Sequence, residues 1–249
     1  MAERLGRGLQ SPVLRFESGR RLQEPLTPFV GPQFWQIGLR PRQSKLASPS
    51  CGSVGFPGGR HNGGVGKTFD GINDQLAEWL ESQPVFFVAT APLASDGLLN
   101  CSPKGNRHEF LVTGPHTVAY LDQTGSGVET IAHLKENGRV VVMFCAFAGP
   151  PRIVRLHGTG RSVLKDSPEF DSLVGRFPGA SGAGVRSVIV VEVQRVSDSC
   201  GYGVPFMNFQ EHRPTMDQWS QRKGPEGIRD YWAEKNRRSI DGLDGFEVG

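Results

Sequence analysis

The chain has 249 residues, room for one sizeable domain or two small ones. Its hydrophobic share is 37%, and glycine (33) and proline (18) are abundant, so part of the chain is expected to lie outside a packed core. The net charge of +3 is unevenly spread: residues 1–66 hold nine basic residues against three acidic ones, which leaves the remainder mildly acidic and gives no reason to expect nucleic acid as a partner.

No run approaches the roughly 20 apolar residues that a membrane span needs, so no membrane is expected. No apolar segment of a secretory signal stands near Met1. The four cysteines, Cys51, Cys101, Cys145 and Cys200, form no CxxC pair, and a reducing, cytoplasmic location is expected from them.

Residues 1–66 read as an extension rather than a domain: a disordered tail, an Arg-rich transit segment, or an over-extended start of the reading frame. At its end, Asn62-Gly63-Gly64-Val65-Gly66-Lys67-Thr68 looks like a phosphate loop. His61 stands where GxxxxGK[ST] needs glycine, and the Gly-rich stretch before it cannot be the buried strand from which such a loop hangs. An ATPase is therefore set aside.

From Thr68 the pattern changes. Ile72, Leu76, Trp79 and Leu80 share one helix face, with Asp70 as candidate cap and Pro84 as stop. Strand-type runs follow at 85–91, 98–102, 109–113, 117–122, 139–147, 152–164 and 186–196. Short helices are expected at 128–137 and at 168–177, the second with Asp166 and Glu169 as a capping box. Beyond residue 200 the reading is a loop and then two helices, 216–223 and 226–238. Closely spaced strands with few helices predict a mainly β (α+β) domain over 67–200, closed or nearly closed into a barrel, with a few peripheral helices and a C-terminal segment at 201–249.

Two segments can carry chemistry. In Asn100-Cys101-Ser102-Pro103-Lys104-Gly105, strand alternation puts Asn100, Ser102 and Lys104 on one face until Pro103 bends the chain. An amide, a hydroxyl and an ammonium suit a phosphate and sugar-like hydroxyls; the same set also fits an ordinary polar strand end. In Thr124-Gly125-Ser126-Gly127-Val128-Glu129-Thr130, a Gly-rich turn leads into a helix whose free N–H groups favour an anion. Equally, Ser126 and Glu129 have the spacing of a helix cap, and Glu129 would repel a phosphate there. Arg155 and His157 share a strand face and read as solvated. The six histidines show no metal-ligand spacing, so no metal is expected.

In order and spacing, Phe86-Phe87-Val88-Ala89-Thr90-Ala91-Pro92, Asp96-Gly97, the SPKG strand end, the TGSGxET helix start, residues 139–147 and His157-Gly158 resemble the pyridoxamine 5'-phosphate oxidase-like family. The resemblance implies a split β-barrel, a homodimer, FMN between subunits, and redox chemistry on a small molecule. It implies that Asn100, Ser102 and Lys104 meet the flavin's polar edge or phosphate. Thr124, Ser126 and Thr130 would bind the phosphate tail, and Thr90 would lie along the ring. A non-catalytic flavin sensor or carrier and an F420-dependent reductase are the alternatives. The Arg/Lys-rich phosphate cradle and C-terminal Trp/Arg segment of the oxidases proper are not matched, and no catalytic side chain is named. This reading requires residues 100–104 and 124–130 to converge across one groove.

Overall fold

The computed structural model describes residues 66–178 and 182–246. The expected extension over residues 1–65 lies outside the described residues.

Eight strands and four helices follow one another along the chain: β1 (Lys67–Phe69), α1 (Asp74–Glu81), β2 (Phe86–Thr90), β3 (Asn100–Lys104), β4 (Phe110–Gly114), β5 (Thr117–Gln123), α2 (Glu129–Glu136), β6 (Arg139–Cys145), β7 (Ile153–Leu164), α3 (Phe170–Val174), β8 (Val185–Ser199) and α4 (Thr215–Lys235). All pairings are antiparallel, in the order β3-β2-β6-β7-β8-β5-β4, with β1 on β8. The two ends of this sheet, β3 and β4, are not paired with each other, so it curls into a barrel that stays split along that seam. The fold is mainly β, a split barrel with peripheral helices.

Period-two alternation explains how it closes. Phe86, Val88 and Thr90 of β2, and Val140, Val142 and Phe144 of β6, point inward. Across the seam, the Phe110 ring lies 5.2 Å from Phe86 and 4.9 Å from Phe144, and Tyr120 lies 5.5 Å from Phe86. This aromatic group joins the two sheet ends by packing instead of by a hydrogen-bond ladder. The other face of β5 and β8 is covered as well: Ala119, Leu121, Val185 and Val188 pack with Phe170 and Phe177 of the α3 region. That second cover accounts for the unbroken burial of β5 from Val118 to Asp122.

Several local expectations are corrected. Asn73, not Asp70, caps α1, accepting from Leu76 N–H at 2.9 Å. Glu169 makes no capping bond; its carboxylate takes both Arg161 nitrogens, at 2.6 and 2.8 Å. Pro103 does not end its strand, because β3 is a sheet edge where a missing N–H faces no neighbour. Lys67 and Thr68 lie in β1, not at a helix start, which removes the phosphate-loop reading. The two expected C-terminal helices are present as the two parts of α4, separated by the non-helical Gly224 (φ 66°), and the second ends at Lys235 rather than at 238. Ile228 and Trp232 of this helix, with Phe246, join the main core.

Candidate functional site

The β2–β3 hairpin sets Thr90 opposite Asn100, Val88 opposite Ser102 and Phe86 opposite Lys104. Asn100, Ser102 and Lys104 therefore share a half-buried face, while Cys101 and Pro103 are exposed. Helix α2 crosses this face and brings Thr130 and His133, one turn apart, against it.

The resulting hydrogen bonds form one group. Asn100 Nδ2 donates to Thr130 Oγ1 at 3.0 Å and to Thr90 Oγ1 at 3.2 Å. Ser102 Oγ donates to Asn100 Oδ1 at 2.8 Å. Thr90 Oγ1 lies 2.9 Å from Nδ1 of His133. Since Thr90 already accepts from Asn100, its own proton is assigned to His133, which keeps the imidazole neutral. Burial lowers the His133 pKa, in the same direction. His133 is fully buried, and among the described residues its Nε2 has no hydrogen-bond partner. Within this group Thr130 Oγ1 and Ser102 Oγ take part as acceptor and donor respectively, Thr130 from a buried position and Ser102 from a half-buried one.

A second, charged group begins at Lys104. Its Nζ lies 3.1 Å from Asp122 Oδ1. The other oxygen, Oδ2, accepts from Arg186 Nε at 2.7 Å and from Ser187 Oγ at 3.2 Å. Burial alone would raise the Asp122 carboxyl; Arg186 and Lys104 outweigh it and hold the pKa at about 2. Arg186 reaches Asp122 because the β5–β8 register shifts there: Asp122 pairs with Ser187 and Gln123 with Val185, leaving Arg186 as the extra, re-aimed residue.

Arg186 also ties in the Gly-rich turn. Its Nη1 donates to Gly127 O and to Asn236 Oδ1, both at 2.9 Å, and Asn236 Nδ2 donates to Gly125 O at 3.0 Å. With those two carbonyls drawn inward, the planar peptide units turn the Ser126 and Val128 N–H groups the opposite way. Ser126 is exposed, and a side chain at Gly125 would meet nothing within 4 Å. Thr124, by contrast, is buried: its Oγ1 donates to Gly184 O at 2.7 Å and accepts from Trp232 Nε1 at 2.8 Å. Glu129 makes no cap with Ser126. Its carboxylate accepts from Ile240 N–H at 3.3 Å and occupies the space that a Cβ on Gly127 would need.

The two sequence segments therefore meet twice, through Asn100–Thr130 and through Lys104–Asp122–Arg186–Gly127. Thr90, Thr124 and Thr130 are buried, Asn100, Ser102 and Lys104 are half-buried, and Ser126 is exposed. Arg155 is elsewhere, donating to Ser199 Oγ at 3.1 Å. Sequence reasoning missed His133, Asp122 and Arg186. The legible trace was a lone acid in the apolar run Val118-Ala119-Tyr120-Leu121-Asp122, since an acid buried among such residues needs partners. Among the described residues no group of three or more His, Cys, Asp or Glu could hold a metal, and no helix is long and apolar enough to cross a membrane.

Residues 72–200 match the family model described as pyridoxamine 5'-phosphate oxidase. A curated relative, the pyridoxamine 5'-phosphate oxidase family protein ustO of Aspergillus flavus, is 38% identical over 192 residues, covering 72% of this chain and 77% of its own. Among solved structures, an FMN-binding protein from Syntrophomonas wolfei is 15% identical (49% of this chain, 80% of that one, TM-score 0.38). The FAD binding protein from Mycobacterium smegmatis is also 15% identical (51% and 92%, TM-score 0.36).

Proposed function

The chain belongs to the pyridoxamine 5'-phosphate oxidase family, and we propose on that basis that it is a flavoprotein using FMN to oxidise or reduce a small organic molecule. The observation that carries this reading is the 3.0 Å bond between Asn100 and Thr130, which joins the two segments that a flavin would have to bridge. The donor set fits such a group. Ser102 is half-buried with its Oγ donating to Asn100, Thr130 stands directly behind Asn100, and a side chain at Gly125 would meet nothing within 4 Å.

In this reading Asn100, Ser102 and Thr130 orient the flavin's polar edge or its ribityl hydroxyls. Lys104 and Ser126 receive the phosphate; the Glu129 carboxylate over Gly127 excludes it from the start of α2. Thr90 and Thr124 act from behind, Thr90 by fixing Asn100 and Thr124 by anchoring Trp232. A bound flavin supplies the hydride chemistry, and the protein supplies orientation and exclusion of water. A second copy is proposed to complete the site as a homodimer. Leu93, Leu98 and Leu99 at the hairpin tip and the neighbouring Ile240 are large, apolar and exposed, next to Asn100.

Titration of the purified full chain with FMN, followed by flavin fluorescence, tests the reading. Lys104→Ala should weaken binding about tenfold, as expected for loss of a charge-assisted contact. A colourless protein that takes up no FMN overturns the proposal, and unchanged affinity in Lys104→Ala removes Lys104 from it. Reduction of the loaded protein by NAD(P)H, followed by an acceptor screen, separates an enzyme from a carrier. Uptake of a deazaflavin in place of FMN would favour the F420 alternative.

A further inference from the structure

At the β3–β4 connection a cavity of about 480 Å3 opens. None of Asn100, Ser102, Lys104, Ser126 or Thr130 lines it. Its apolar walls are Phe86, Phe110, Phe147, Phe209 and Met207. Phe86 and Phe110 belong to the aromatic group inside the barrel. Met207 and Phe209 come from the segment after β8, which is laid across the cavity by two ties: Met207 N–H donates to Phe147 O at 2.9 Å, and Nδ1 of His212 meets Gly105 O at 2.5 Å.

Two carboxylates stand among these walls: Glu81, exposed at the rim with its Oε1 accepting from Val112 N–H at 2.8 Å, and Glu109, which is buried. Glu109 is only 5% exposed. Asn106 Nδ2 and Gln123 Nε2 both donate to its Oε1, at 3.0 and 2.5 Å. Both of these donors go to Oε1, and among the described residues no hydrogen bond is made to Oε2. Among the described residues no cation forms an ion pair with Glu109. Lys104 acts on it only at a distance, since its ammonium is engaged by Asp122, and Asp217 adds negative charge nearby. Burial accordingly raises the Glu109 pKa.

A buried carboxylate without a countercharge favours a positive group. Aromatic faces favour the same sign, through the negative potential over each ring. Arg107 and His108, also at this cavity, are solvent-exposed, so their effect is felt at the mouth and screened there. A neutral hydrogen-bond donor could reach Oε2 but would gain nothing from the ring faces.

We propose that this cavity is a binding site for a small organic cation, a substituted ammonium or an amidinium on an apolar body, with its charge on Glu109 Oε2 and its body against the phenylalanine rings. The inference is independent of the flavin assignment. Isothermal titration of the full chain with benzamidine, and with benzamide as its neutral near-isostere, tests it. Benzamidine should bind at least about tenfold more tightly than benzamide. Glu109→Gln keeps an oxygen for Asn106 and Gln123; it should remove about tenfold of benzamidine affinity and leave benzamide unchanged. Phe209→Ala, at a half-exposed position outside the barrel, should weaken both probes. If Glu109→Gln does not fold, the probe ratio and Phe209→Ala decide. Absence of benzamidine binding at millimolar concentration, equal affinity for the two probes, or wild-type benzamidine affinity in Glu109→Gln would each overturn the proposal.

Discussion

Asp122 is a fully buried carboxylate in an otherwise apolar strand, and three donors offset the cost of placing it there: Lys104, Arg186 and Ser187. Asp122→Asn leaves Arg186 buried without its countercharge and should cost roughly 3–5 kcal/mol in urea unfolding. The pH dependence has a definite sign. The Asp122 pKa is depressed from 3.8 to about 2, so its contribution, roughly 2 kcal/mol, is fully present above 3.8 and is lost as pH falls toward about 2. His133 acts in a different window. Its pKa is lowered by burial from 6.5, so below that value the unfolded chain takes up a proton the folded chain resists, and stability falls. Urea midpoints measured from pH 8 down to pH 3 should show both losses, and His133→Asn should remove only the upper one. Alternation alone put Asn100, Ser102 and Lys104 on one face, because side-chain direction in a strand is a local property. The partners of Lys104 were not legible in that way, since Arg186 arrives through a register shift between strands far apart in sequence.

Elements with a strong apolar period were legible to within a few residues, and every strand run from 85 onward has its counterpart. What failed were the ends and joints. Asp70, Asp166 and Glu169 all have capping chemistry, but tertiary partners decide which cap forms: Glu169 prefers the Arg161 fork and Asn73 takes α1. β1 escaped notice because three residues carry no period. The joint between β7 and β8 is equally hidden. Their register shifts between His157 and Gly158, and a Cβ at Gly158 would stand 2.1 Å from Glu192 O. Backbone cannot yield as a flexible side chain can. Gly158→Ala should therefore destabilise the protein by roughly 2–3 kcal/mol, read as a lower thermal midpoint. A midpoint equal to wild type would mean that the shift adjusts without strain.

Across the molecule, the split between β3 and β4 leaves an edge strand and an apolar hairpin tip on the same side as the polar group. If a second copy covers them, Leu99→Asp should shift the sedimentation profile from dimer to monomer and weaken FMN binding together. A monomeric wild-type chain would refute that arrangement. Seven of the eight strands and the mainly β class were legible because short runs with Gly and Pro punctuation permit few other architectures; the order of strands was not, since pairing partners are set by the closed shape and not by neighbours in sequence. β8 shows the consequence most plainly. Its fifteen residues pair with β7 along one side and with β5 and β1 along the other, so among the described residues the β3-β2-β6-β7 and β5-β4 parts of the sheet are joined only through residues 185–199. During synthesis the growing chain therefore carries unpaired edges on β5 and β7 until β8, in about the last quarter of the chain, has left the ribosome, and the sheet is completed late. A nascent chain arrested before Val185 should remain protease-sensitive and dependent on chaperones, whereas the released 249-residue chain should not.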